Sequence, residues 1–189
     1  MQIRPLINND LESISLLHKR VFDSSYFSIH FNISRLNKYF ESLLSANKYC
    51  YVAVEDKKIL GYVIGGYQTQ KAVDNFMKSN IWYIFSCMLI NPKFILSAFV
   101  KIFSRIFAKK QQSKAKLRLF LIGVEQNANR KGIGGILLNK FEDELLDNDI
   151  HTYGLYVRFN NSHAMKFYEK KGFQQEFARN DLICYIKSI

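Results

Sequence analysis

Residues 117–146 read LRLFLIGVEQNANRKGIGGILLNKFEDELL, and this stretch decides the fold. Its first part, Leu117–Val124, is an apolar run with strand character, followed by a polar, breaker-rich turn over residues 125–131. Gly132, Ile133, Gly134 and Gly135 then open a segment with helical spacing, carried by Ile136, Leu137, Phe141 and Leu145. The order is strand, glycine turn, helix N-terminus. The first N–H groups of a helix have no partner inside it, and the helix dipole adds partial positive charge at the same place. A phosphate suits such a site. Glycine lets it approach the backbone where a Cβ would obstruct. A glycine-rich helix start without a ligand has the same sequence, so a second signal is needed. Two alternatives fail on the text: there is no GxxxxGK[ST] run, and Gly132-Ile133-Gly134 lacks the third glycine of a dinucleotide fingerprint.

The second signal lies downstream. Residues 154–159 (GLYVRF) form another strand candidate and lead into NNSHAMKFYEKKGF, residues 160–173. Asn161 suits a helix N-cap and Gly172 the stop just past the helix end. Asn161, Ala164, Met165 and Tyr168 fall at i, i+3, i+4 and i+7, on one side of a short helix. Taken alone, this is also the pattern of a capped amphipathic helix with a half-buried tyrosine.

Together the two elements resemble the GNAT acetyltransferase family, the acyl-CoA-dependent N-acyltransferases. The family's central motif, roughly V-x-P-x-x-R/Q-G-x-G-I/V-G, stands here as Val124 to Gly134. Asn129 replaces the usual Arg or Gln, Arg130 a common Gly, and Gln126 a common Pro. The later motif, N-x-x-A-x-x-F/L-Y-x-x-x-G-F, is matched by Asn161, Ala164, Phe167, Tyr168, Gly172 and Phe173.

The resemblance implies a mixed sheet flanked by helices, α/β in the broad sense and α+β by stricter bookkeeping. It implies acetyl-CoA as cosubstrate and an amine acceptor. The pantetheine arm would lie along the strand ending at Ile122, Gly123 and Val124, as an added strand would. This requires the fourth and fifth strands to splay. A main-chain N–H near Val124 would stabilise the developing oxyanion. The pyrophosphate would rest on N–H groups from Asn129, Arg130, Lys131, Gly132, Ile133, Gly134 and Gly135, and Asn161, with Ala164 among the cofactor-binding residues, would fix the pantetheine from the other side. Tyr168 would protonate the leaving thiolate; a phenol of pKa about 10 and a thiol of about 8.5 are close enough for this. Many relatives carry a carboxylate base within the fourth strand, but residues 119–122 contain none. Glu125 follows the strand as a candidate base, and it also reads as an exposed turn residue. Asp23, His30, Glu55 or a relaying water are further candidates.

Bulk properties are consistent with this reading. A chain of 189 residues with 48% hydrophobic content is expected to form one domain over residues 1–189. The three cysteines are widely spaced and the four histidines form no pair at ligand spacing, so neither a disulfide framework nor a metal is expected, and a reducing cytoplasm is. The N-terminal residues lack a basic start followed by an apolar core, so no signal peptide is expected. The net charge of +11 points to anionic partners such as CoA. No nucleic-acid recognition motif is present, and no nucleic acid is expected.

The element order reads β-α-α-β-β-insert-β-α-β-α-β-β. The insert, residues 68–116, is too apolar for an unstructured loop. It contains the run IWYIFSCMLI at residues 81–90 and a helical pattern over 94–107. Neither half reaches the roughly 18–20 apolar residues that span a bilayer. Three readings stand side by side: helices that shape the acceptor side, a peripheral membrane contact, and a homodimer interface. For the acceptor, the basic surface and the aromatic loop at residues 23–33 point to a bacterial amino sugar, nucleotide-linked, with a protein or peptide amine as the alternative. A CoA-binding module without catalysis is the remaining class.

Overall fold

A computed structural model describes residues 1–24, 26–83, 113–125 and 132–189. In chain order the elements are β1 (Gln2–Pro5), α1 (Leu11–Val21), α2 (Ile33–Ala46), β2 (Tyr49–Glu55), β3 (Lys58–Gly66) and α3 (Thr69–Ser79). After the insert come β4 (Leu117–Val124), α4 (Ile133–Leu146), β5 (Thr152–Arg158), α5 (Ser162–Lys170), β6 (Gln174–Arg179) and β7 (Leu182–Ser188). The expected order holds. The sequence pattern did not resolve α3, which begins the insert. The apolar run at residues 81–90 and the helical pattern over 94–107 fall almost wholly outside the described residues. Among the described residues no helix is long and apolar enough to cross a membrane.

The strands form one seven-stranded sheet in the order β1-β2-β3-β4-β5-β7-β6. All neighbours are antiparallel except β4 and β5, which run parallel. Alternation along β2 shows how the layers are built. Tyr49, Tyr51 and Ala53 point into a core with α4 and α5, whereas Cys50 and Val52 point into a second core with α1, α2 and α3. Both faces are covered, so β2 and β3 read as nearly continuous apolar runs.

Helix α4 buries Ile133, Leu137, Leu138, Phe141 and Leu145 against the sheet, whereas Ile136, expected on the same face, is 38% exposed. The strand β4 carries a bulge. Ile64 pairs with Leu121 and Gly65 with Leu119, so Phe120 is the extra residue. The bulge switches faces: Leu117 and Leu119 join the α4 core, and Leu121 joins the α1–α2 core. Such an insertion bends a strand and re-aims the residues beyond it.

Candidate active site

The seam between β4 and β5 is closed at one end only. Leu117 pairs with Tyr153 and Arg118 with Gly154, and no further pair joins the two strands. Beyond the Phe120 bulge they splay, as expected, and a cleft of about 590 Å³ opens between them.

The edge of β4 supplies one wall. The Glu125 N–H donates to the Leu60 carbonyl at 2.8 Å, which makes that position a hydrogen-bonded pair with β3. Alternation along an antiparallel ladder then turns the N–H and C=O of Val124 and Ile122 away from β3, toward the gap. Ile122 and Val124 line the cleft. Gly123, expected beside them, does not: it lies opposite Tyr62 in a hydrogen-bonded position facing β3.

The N-terminus of α4 closes the same wall. Gly132 holds φ at +69°, the left-handed conformation that glycine adopts without strain. Its carbonyl accepts the first helical bond, from the Ile136 N–H at 3.1 Å, so the N–H groups of Ile133, Gly134 and Gly135 lie in the unpaired first turn. Gly132, Gly134 and Gly135 line the cleft, while the Ile133 side chain is fully buried in the core. The Lys171 ammonium rests above this turn, 3.1 Å from where a Cβ on Gly135 would sit. Asn129, Arg130 and Lys131 fall outside the described residues.

Helix α5 supplies the third side. Asn161 is its N-cap, with Oδ1 accepting from the Ala164 N–H at 3.0 Å. The other end closes in a Schellman motif: the Phe173 N–H donates to the Tyr168 carbonyl at 3.1 Å and the Gly172 N–H to the Glu169 carbonyl at 3.0 Å, with Gly172 at φ +86°. The apolar contact that accompanies this motif is Tyr168 against Phe173, ring centroids 5.2 Å apart. The stop that ends the helix therefore also sets the Tyr168 ring. Tyr168 is 6% exposed and lines the cleft together with Asn161, Ala164, His163 and Phe167. Burial, with the Tyr26 phenol nearby, raises its pKa well above the ordinary value, so it stays protonated at neutral pH and is a weaker acid, further from a thiol, than the free phenol expected from the sequence.

The fourth side is aromatic; the expected aromatic loop contributes Tyr26 to it, whereas Phe22 and Tyr156 were not anticipated from the sequence. Phe22 and Tyr26 come from the end of α1 and the loop after it, and Tyr156 comes from β5. Strand alternation in GLYVRF turns Tyr156 to the face opposite Leu155 and Val157, a signal the sequence contained. Behind this wall His18 is fully buried and stacks on Phe22 at 4.4 Å. Its Nδ1 is 2.6 Å from the Tyr62 hydroxyl and its Nε2 2.7 Å from the Ser28 hydroxyl. Burial, and to a smaller degree Lys19, depress its pKa to about 4, so the ring is neutral.

The candidate bases are not gathered here. Glu125 does not line the cleft, and its carboxylate accepts from Arg20 Nη2 at 2.8 Å and Nε at 3.1 Å. Asp23, His30 and Glu55 do not line it either, nor does any other carboxylate among the described residues. Among those residues there is no cluster suited to a metal ion.

Residues 96–173 match the family model for the Acetyltransferase (GNAT) family. The [Ribosomal protein bS18]-alanine N-acetyltransferase of Salmonella typhimurium is 35% identical over 75 residues, which is 40% of this chain and 51% of that protein. The matched part thus spans about half the length of that relative. Among solved structures, the PaiA N-acetyltransferase of Thermoplasma acidophilum in complex with coenzyme A superposes with a TM-score of 0.64 at 16% identity, covering 100% of this chain and 98% of that one. Arabidopsis thaliana Naa50, in complex with the bisubstrate analogue CoA-Ac-MVNAL, gives 0.58 at 18% identity, with 100% and 98% covered. Residues 96–173, which hold β4, α4, β5 and α5, thus match the GNAT acetyltransferase family, and the chain as a whole shares the fold of these N-acetyltransferases.

Proposed function

We propose that this protein transfers the acetyl group of acetyl-CoA to an α-amine at the N-terminus of a protein. The observation that carries this reading is the cleft itself, in which an unpaired β4 edge, a helix N-terminus and a protonated Tyr168 converge. The residues fit the cosubstrate. The groups at Ile122 and Val124 offer strand-like hydrogen bonds to an extended amide-bearing arm. The first turn of α4 offers N–H donors to a pyrophosphate. Tyr168, which lines the cleft, would give its proton to the departing thiolate, and an N–H at the end of β4 would hold the oxyanion.

Two arguments favour an α-amine. The Salmonella relative acts on an alanine of a ribosomal protein, and the Naa50 ligand joins CoA to the peptide MVNAL. The chemistry agrees. An α-ammonium of pKa about 8 is roughly a quarter neutral near pH 7.5, whereas a lysine of about 10.4 is almost wholly charged. A cleft lined by no carboxylate among its described residues suits the weaker base. The amino sugar expected from the chain's basic charge finds no support among these relatives.

The test is thiol release from acetyl-CoA against a panel of peptides with free N-termini, the same peptides blocked at the N-terminus, lysine-bearing blocked peptides and amino sugars. Turnover confined to free N-termini supports the reading. Turnover on amino sugars alone overturns the acceptor, and tight acetyl-CoA binding with silence across the panel overturns catalysis.

A further inference from the structure

One buried titratable group takes no part in the steps proposed above, yet stands directly behind the aromatic wall of the cleft. His18 lies on α1 and is fully buried. Its Nδ1 is 2.6 Å from the hydroxyl of Tyr62 on β3, and its Nε2 is 2.7 Å from the hydroxyl of Ser28 in the loop after α1. The neighbours decide which ring nitrogen carries the proton. The Tyr62 phenol is fully buried and has no other hydrogen-bond partner among the described residues, so its proton goes to Nδ1. The neutral imidazole then carries its own proton on Nε2 and donates it to Ser28 Oγ. His18 thus links the sheet to the loop by one directed chain of hydrogen bonds.

The faces of the ring are occupied as well as its nitrogens. Phe22 follows one turn later, at the end of α1, and stacks on His18 with centroids 4.4 Å and planes 29° apart. Phe40 from α2 meets the same imidazole edge-on at 5.3 Å. Tyr26, which lines the cleft with Phe22, packs edge-on against Phe22 at 4.7 Å. Phe22 and Tyr62 also share a seat on β4. A Cβ on Gly123 would lie 2.8 Å from Tyr62 Cε1 and 3.2 Å from Phe22 Cε2, so both rings press against the strand where glycine leaves room. Gly123 stands between Ile122 and Val124, which line the cleft from β4. Two neighbours of His18 therefore rest on β4, and a third, Ser28, belongs to the aromatic loop. The imidazole sets the distance between strand and loop.

We propose that His18 is a positioning residue for acceptor selection: it holds Phe22 and the Ser28 loop at a set distance from β4, and so decides which first side chain of the acceptor fits between them. The proposal rests on the transferase reading above. Under that reading the thioester lies along β4, and an amine that reaches it brings the side chain of its first residue against Phe22 and Tyr26. A wall that cannot move rejects by size, because a bulkier side chain must displace a ring stacked on a buried imidazole bonded at both nitrogens. A wall that can swing outward repacks around each acceptor and discriminates little. His18 touches no reacting atom, so its effect falls on the choice between acceptors and not on the binding of acetyl-CoA.

The experiment measures kcat/KM for two peptides that differ only in having Ala or Leu as first residue, and the KM for acetyl-CoA. It compares the full chain with Ser28→Ala, His18→Asn and His18→Gln. A rigid pocket discriminates a single methylene by about tenfold or more, so the parent is expected to separate the two peptides by at least about tenfold. Ser28→Ala removes the bond to the loop, and the shorter side chain of His18→Asn reaches Tyr62 but not Ser28. Both are expected to bring the ratio at least about fivefold closer to one, with the KM for acetyl-CoA within about twofold of the parent. His18→Gln, whose amide N–H falls near the place of the Nε2 proton, is expected to keep most of the parent's ratio. Both peptides are read on one preparation, so an inactive fraction cancels and lost stability alone leaves the ratio where it was. Three outcomes overturn the role of His18 and leave the transferase reading intact: a parent that takes both peptides alike, a ratio unmoved in Ser28→Ala and His18→Asn, or a His18→Gln ratio as compressed as that of His18→Asn. A parent chain that transfers to no amine overturns both.

Discussion

Two walls of the cleft are built by opposite means. The wall formed by the β4 edge and the start of α4 presents backbone: N–H and C=O groups at Ile122 and Val124, and glycines at 132, 134 and 135. The wall formed by Phe22, Tyr26 and Tyr156 presents side chains, braced from behind by a buried histidine. Backbone donors keep the same chemistry whatever residue carries them, so the first wall suits an invariant part of a ligand, such as a pyrophosphate and its arm. Side chains are exchangeable, so under the proposed transferase reading the second wall is where one acceptor would be told from another.

The comparison can be broken most severely where the walls meet, at Tyr168. Tyr168→Phe keeps the ring and the Schellman contact but removes the proton; it is expected to lower kcat by about a hundredfold or more with acetyl-CoA affinity unchanged. Steady-state kinetics beside direct binding separates the two effects.

Acid distinguishes the walls next. His18 has its pKa depressed to about 4 in the folded chain, against about 6.5 unfolded. Its contribution is fully present above the unfolded value and is lost as pH falls toward the folded one. At 1.36 kcal/mol per unit this amounts to roughly 3 kcal/mol between about pH 6.5 and pH 4. Urea unfolding across that range should show the loss, and a His18→Gln variant should be flatter over the same interval.

A smaller effect sharpens the backbone wall. A Cβ at Gly134 would find ordinary contacts at 3.7 Å, so Gly134→Val is expected to fold. Its branches would occupy the space above the unpaired N–H groups, and acetyl-CoA affinity should fall about tenfold in calorimetry, with little change in melting temperature. The smallest expected change is Asn161→Ala. Losing the N-cap bond to Ala164 should cost about 1 kcal/mol of stability, read by thermal melting.

The same division explains what could be read from the sequence. The backbone wall and α5 depend on local rules: a φ that glycine favours, a capping asparagine, a helix stop. Each is written within a few residues of where it acts, and so Gly132, Asn161, Tyr168 and Gly172 were all legible. The side-chain wall depends on pairings between strands far apart in the chain. Nothing near Tyr156 announces that Cys184 will stand opposite it. Glu125 shows the same dependence on distant partners. Its place after the strand made it a candidate base or an exposed turn residue, and its ion pair with Arg20, distant in sequence, was not legible there. Helix α3 was passed over because its apolar residues, Ala72, Val73, Phe76 and Met77, stand among polar ones, and they find their partners only when α2 packs beside them.

Helix α5 carries a constraint that reaches beyond chemistry. It is nine residues long, bounded by an asparagine that starts it and a glycine that stops it. Tyr168 is counted from both ends at once. A residue added or removed between them would turn the ring by about 100° around the helix axis and break one terminus or the other. Side chains along its outer face can be exchanged freely, but its length cannot. The segment behaves as a gauge block, and the register of the phenol is set by how many residues lie between two fixed stops.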